Sequence, residues 1–154
     1  MKLLKSVAIA CGTTALAFAT PAAAQMQVYE DYTPSDEVVE MTTVKVDSGQ
    51  FETYLEGLKS TWVAANEVAK ELGHIKGYAI WGVPYGTNEV NLILTITYPS
   101  TAHTAPSKER YDEFMARWGE ERMDSNNKTV LELYNKIREI KGVYLLRRID
   151  VKTD

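Results

Sequence analysis

The stretch KGYAIWGVPYGTNEVNLILTITY, residues 76–98, decides how this chain folds. Its first half, Lys76 to Tyr85, places Tyr78 and Ile80 on one parity and Ala79, Trp81 and Val83 on the other, so a strand here is apolar on both faces. Gly86-Thr87-Asn88 supplies turn chemistry. Val90 to Tyr98 then returns with Val90, Leu92, Leu94, Ile96 and Tyr98 on one side and Asn91, Ile93, Thr95 and Thr97 on the other. The pattern predicts a hairpin. Pro84 has no N–H to give to a ladder, which puts the first hairpin strand at a sheet edge.

Upstream, Glu37 to Val46 crowds β-branched residues on both parities and predicts a two-faced strand. Asp47-Ser48-Gly49-Gln50 has capping-box spacing, and a helix is expected to start there. Its stripe runs from Phe51, Tyr54, Leu55 and Leu58 through Trp62 to Leu72, with Gly73 as the stop. Downstream, Pro99 to Pro106 reads as a loop, and Tyr111, Phe114, Met115 and Trp118 form a second helical stripe from Ser107. The charged, Asn-rich run from Gly119 to Lys128 predicts a break. Thr129 to Glu132 then has capping-box spacing, Val130, Leu133, Tyr134 and Ile137 resume the apolar face, Gly142 ends it, and Val143 to Val151 is the last strand.

The order is β-α-β-β-α-β, a ferredoxin-like α+β domain spanning 37–151, in which right-handed crossovers set both helices on one face of an antiparallel sheet. A single helix layer covers one face, yet the strands are apolar on two. Trp81 and Ile93 on an open face would form a larger patch than a soluble monomer shows, so a second copy packed sheet to sheet is the expected cover. In element order, the long Trp-bearing first helix and the two-faced strands, residues 37–151 resemble the dimeric α+β barrel superfamily, which includes antibiotic-biosynthesis-type monooxygenases, haem-degrading monooxygenases and NIPSNAP-like proteins. That resemblance implies a homodimer and a ligand in the barrel or in the helix–sheet cleft. It also raises haem as a cofactor, through an Asn, Trp and His set for which this sequence offers no register.

The first residues supply an address. Lys2 and Lys5 precede an apolar run from Val7 to Phe18, and Pro21-Ala22-Ala23-Ala24 gives a small-residue cleavage point after Ala24, the layout of a secretory signal peptide over 1–24. The run is too short and too broken to span a bilayer. A periplasmic protein is expected, with lipidation at Cys11, behind Ala8-Ile9-Ala10, as the alternative fate. Cleavage removes the chain's single cysteine, so the mature protein has no thiol for catalysis, metal or disulfide. Residues 25–36 are polar, carry Pro34 and read as a flexible lead-in. The net charge of −4 disfavours nucleic acid, and without clustered Lys or Arg the mature chain has no basis for membrane insertion or surface binding.

No motif fixes a reaction: there is no phosphate loop, nucleophile elbow or metal-ligand spacing. With two histidines in all, acid–base chemistry has few candidates. His74, after Gly73, suits a helix end. His103, in the loop after the third strand, is a candidate catalytic group, as is Arg147, which alternates with Arg148 mid-strand and so reaches a face where a charge needs a partner. An intersubunit ion pair is the plainer role for either arginine. Trp81, Asn91, Thr95 and Thr97 form a semi-polar lining suited to a small-molecule pocket, although half-buried strands alternate in the same way for structural reasons. The expected function is an exported homodimer that binds a small, largely apolar molecule. A cofactor-independent or haem-dependent monooxygenase is the enzymatic alternative, and an assembly role the structural one.

Overall fold

The computed structural model describes residues 25–153; the signal peptide read at 1–24, with Cys11 and the cleavage point after Ala24, lies outside them. Four strands form one sheet: β1 (Tyr32–Val46), β2 (Gly77–Gly82), β3 (Leu92–Tyr98) and β4 (Arg138–Val151), in the order β2-β3-β1-β4 with every neighbouring pair antiparallel. This is the ferredoxin-like arrangement, with β2 at an edge as expected, although Pro84 lies beyond the end of the strand at Gly82 and takes no part in the ladder. In element order and sheet topology the chain resembles the dimeric α+β barrel superfamily.

Helix α1 runs over 51–71 as Phe51–Leu58, a π-helical turn Lys59–Val63, and Ala64–Glu71. Its expected capping box does not form. Gln50 is the N-cap without a side-chain bond, while the Asp47 amide is taken by the Ile137 carbonyl at 2.9 Å and Asp47 O accepts from Gln50 N at 3.1 Å. The far end closes as expected: Gly73 is left-handed at φ 74°, and the amides of Gly73 and His74 reach back to Lys70 O and Ala69 O, a Schellman motif. Helix α2 (Lys108–Trp118) is capped by Ser107, whose hydroxyl accepts from Arg110 N.

The break expected in the run from Gly119 to Lys128 falls at Gly119, and the rest of the chain to 142 differs from its sequence reading. Gly119, at φ 87°, ends α2, but a new helix starts at once and runs over 120–137 as α3: Glu120–Thr129, a second π turn Val130–Tyr134, and Asn135–Ile137. Residues 120–128 are helical despite their polarity because all but Met123 and Asn126 face water, and such a segment needs no apolar stripe. Thr129 does not cap; its hydroxyl bonds back to Ser125 O at 3.1 Å within the helix. Strand β4 begins at Arg138, and Gly142 lies inside it beside a bulge, where Gly142 opposes Thr43 and Ile140 opposes Val44, leaving Lys141 unmatched. Strand β1 starts at Tyr32 instead of Glu37, so the lead-in ends earlier: Tyr32, Thr33 and Pro34 pair with Val151, Asp150 and Ile149.

Even-numbered side chains of β1 and β3 meet the helices. Val44, Val46, Leu92 and Leu94 pack with Tyr54 and Leu58 of α1 and Tyr134 and Ile137 of α3. The opposite sheet face carries the rows Trp81–Ile93–Thr43, Ala79–Thr95–Met41–Tyr144 and Thr97–Val39–Leu146. Among the described residues no helix covers this side, and Trp81 is 56% exposed, Tyr144 50% and Leu146 43%.

Candidate functional site

The two π turns face each other. A π turn admits an extra residue per turn and recurs where a helix is shaped for function. Lys59–Val63 presents Thr61, and Val130–Tyr134 presents Tyr134, whose hydroxyls lie 2.6 Å apart across the helix pair. Gly57 makes this approach possible: a Cβ there would lie 2.7 Å from Tyr134 Cε1 and 2.8 Å from its oxygen. Thr61 Oγ1 also donates to the Gly57 carbonyl at 3.0 Å, which accepts from Ser60 Oγ at 3.0 Å as well.

Two adjoining hollows form one cleft here, an inner part between the helices and the sheet and an outer part between the helices, with Thr61 and Asn126 lining both. The inner part, about 170 Å³, has an apolar floor and wall of Leu58, Trp62, Leu94 and Val130 and a polar end made by Tyr54 and Arg138. The outer part, about 280 Å³, shares Thr61 and Asn126 with it and opens past Ser60, Ser125, Trp118 and Arg122. Small-molecule sites occupy roughly 300–1,000 Å³.

Arg138, the first residue of β4, projects into the inner part with its guanidinium carbon 5.5 Å from the Tyr54 ring centroid and 5.3 Å from that of Tyr134. The rings meet edge to face at 4.9 Å. Burial pushes the Tyr54 hydroxyl up to about 12, with the Arg138 charge opposing the shift. Tyr134 is raised for the same reason, against the Thr61 hydrogen bond. Both phenols are therefore neutral near pH 7 and act as hydrogen-bond donors there, not as bases.

Four buried side-chain atoms lack a hydrogen-bond partner among the described residues: Tyr54 Oη, Trp118 Nε1, Asn126 Oδ1 and Arg138 Nε. All four belong to residues lining this cleft. Buried polar atoms are nearly always paired, since each orphan costs about 1–3 kcal/mol. The four comprise three donors and one acceptor.

The residues singled out from sequence lie elsewhere. His103 sits in the 3-10 turn Thr101–Thr104, its Nδ1 3.1 Å from Ser100 Oγ. Arg147 is exposed on β4 opposite Val38. Trp81, Thr95 and Thr97 share the open sheet face, and Trp81 Nε1 donates to Thr95 Oγ1 at 3.0 Å. Asn91 is not with them. Its amide is consumed by the backbone of Val46, accepting from the N–H at 2.8 Å and donating to the carbonyl at 2.7 Å. His74 joins the helices, its Nε2 2.9 Å from Glu113 Oε2.

Haem does not fit the cleft. Its lining has no histidine, and a tyrosinate ligand needs a lowered phenol pKa where burial raises that of Tyr54. Among the described residues no three His, Cys, Asp or Glu side chains come together as a metal set, and no helix is long and apolar enough to cross a membrane.

Sequence reasoning assigned Tyr54, Trp118 and Tyr134 to apolar stripes and passed over Thr61, Asn126 and Arg138. One signal was present. Gly57, in the middle of a strong helical stripe, costs about 1 kcal/mol relative to Ala unless something must come close.

No family model matches the chain, and no curated protein matches it. Among solved structures it is similar to a NIPSNAP family protein of unknown function from Agrobacterium tumefaciens, at 15% identity over 80% of this chain and 96% of that one with a TM-score of 0.49. It is also similar to a dimeric ferredoxin-like protein from an uncultured marine organism, at 14% identity over 79% and 100% with a TM-score of 0.42. A third is the hydroxynitrile lyase of Passiflora edulis, at 12% identity over 79% and 99% with a TM-score of 0.37.

Proposed function

We propose that this protein is an exported, homodimeric small-molecule-binding protein whose ligand enters the cleft between α1, α3 and the sheet. The observation that carries the reading is the convergence of four unpartnered buried polar atoms on that one opening. Binding is favoured over acid–base catalysis because the titratable groups at the inner end, two neutral phenols and a guanidinium, donate hydrogen bonds and remove no proton near neutral pH.

The homodimer is supported by the uncovered sheet face. Trp81, Tyr144 and Leu146 are exposed there together, beside half-buried Val39, Met41 and Ile93, and a second copy offers the same surface in return. Export is supported by the leader pattern at 1–24 and is checked by the mass of the periplasmic form, which should begin at Gln25.

The test is native mass spectrometry of the protein recovered from the periplasm, beside the variant Ala65→Phe. Ala65 lines the inner part of the cleft, so the larger ring fills it. A dimer that retains added mass in the wild type and loses it in Ala65→Phe supports the reading. Retention by both places the ligand elsewhere and overturns the cleft as its site.

A further inference from the structure

We infer that the cleft takes a small organic carboxylate, with its charged end against Arg138 and Tyr54 and its apolar body along Leu58, Trp62 and Leu94; this rests on the cleft being a ligand site, as proposed above. The charge pattern is the first ground. The chain carries a net charge of −4, yet no Asp or Glu lines either part of the cleft, while an arginine lines each: Arg138 within and Arg122 at the mouth. Neither makes an ion pair among the described residues, whereas Arg117 and Arg148 each hold a carboxylate. Arg122 is exposed and Arg138 half-buried with its Nε shielded from solvent, so an anionic guest supplies the counter-charge that the Arg138 guanidinium lacks where it is shielded.

Donor geometry is the second ground. Arg138 Nε and Tyr54 Oη are both buried and unpartnered at the same end of the inner part, and Arg138 is fixed by the rings of Tyr54 and Tyr134. A planar guanidinium matches a planar carboxylate, and a neutral phenol beside it adds a third hydrogen. The apolar walls decide what the anion is attached to. An inorganic anion would satisfy the donors but make no use of the half-buried Trp62, Ala65 and Val130, against which a hydrocarbon or aromatic body can lie. The Asn126 Oδ1 acceptor, in the lining shared by both parts, can take a hydroxyl or amide hydrogen carried on that body.

Calorimetry and the indole N–H resonances of Trp62 and Trp118 test this with three probes on the full mature protein: phenylacetate, the neutral phenylacetamide, and inorganic phosphate. The expected result is a preference for phenylacetate over phenylacetamide of at least about tenfold, the effect of one charge-assisted hydrogen bond. That preference should vanish in Arg138→Met and persist in part in Arg138→Lys, which also serves if the methionine variant does not fold. Equal binding of acid and amide overturns the carboxylate inference and leaves the cleft as a binding site. Phosphate binding as tightly as phenylacetate overturns the role of the apolar body. If no probe moves either indole resonance, the inference fails, and retained mass in the periplasmic dimer decides separately whether the cleft binds at all.

Discussion

Tyr134 and Thr61 share a 2.6 Å hydroxyl contact at the point where two helices each widen into a π turn. The contact joins the two covering helices directly above the core and forms the rim between the inner and outer parts of the cleft. Removing one hydroxyl tests it. Tyr134→Phe keeps the ring, and Thr61 still has the Gly57 carbonyl, so neither partner is left wholly unsatisfied. The expected cost is about 1 kcal/mol, a fall in Tm of roughly 3–6 °C by calorimetry.

Gly57→Ala places a methyl against the same ring. The substitution gains about 1 kcal/mol of helix propensity but drives a Cβ to 2.7 Å from Tyr134 Cε1, and overpacking of that kind costs about 1–3 kcal/mol. Net destabilisation is expected, and the double variant Gly57→Ala with Tyr134→Leu should recover part of it because the obstructing ring is gone. A Gly57→Ala protein as stable as the wild type in urea would show that the helices separate without cost.

Trp81→Asp separates the sheet-face dimer from the fold. Within one protomer Trp81 is 56% exposed and its indole bonds to Thr95, so a charge there faces solvent and the helix-side core is untouched. Sedimentation should then give a folded monomer with wild-type far-ultraviolet circular dichroism. A dimer that survives the charge does not use this face.

Much of this architecture is legible in the sequence because it rests on alternation and punctuation. The hairpin at 76–98, the stripe on α1 and the left-handed stop at Gly73 follow from side-chain period and one glycine. What period cannot show is polar helix. Residues 120–128 carry no stripe and so read as a break, though backbone hydrogen bonding continues through them. The cleft was hidden for a different reason. Tyr54, Asn126 and Arg138 come from three elements far apart in the chain, Arg138 lies at a helix-to-strand switch whose position was misplaced by five residues' reading of Gly142 as a stop, and a π turn leaves no mark on a 3.6-residue stripe.

Asn91 tests how the end of β1 is held. Its amide imitates a strand neighbour for Val46, supplying both an acceptor and a donor where the β1–β3 pairing runs out. Asn91→Ala leaves the Val46 N–H and carbonyl short of partners beside a fully buried side chain, at about 1–3 kcal/mol. Asn91→Asp keeps the acceptor, loses the donor and brings a negative charge against the Val46 carbonyl, so it should cost at least as much. Urea denaturation of the three proteins ranks them.

High pH tests the buried phenol of the cleft. In the folded chain Tyr54 titrates near 12, above the ordinary tyrosine value of 10, because ionisation would place a phenolate in the core. Between these two values the unfolded chain loses its proton while the native state keeps it, so the Tyr54 contribution is fully present below pH 10 and is lost as pH rises towards 12. Tyr78 follows the same course for another reason, since its hydroxyl donates to Glu67 and would otherwise oppose that carboxylate charge. The late part of the tyrosinate absorbance should therefore come from Tyr54 and Tyr78, with Tyr98 and Tyr134 also held above the ordinary value by burial. Tyr54→Phe should flatten the fall in stability between pH 10 and 12 and reduce the late absorbance step, whereas an unchanged late step would mean that the Tyr54 hydroxyl is not held above the ordinary value and that water reaches the inner end of the cleft.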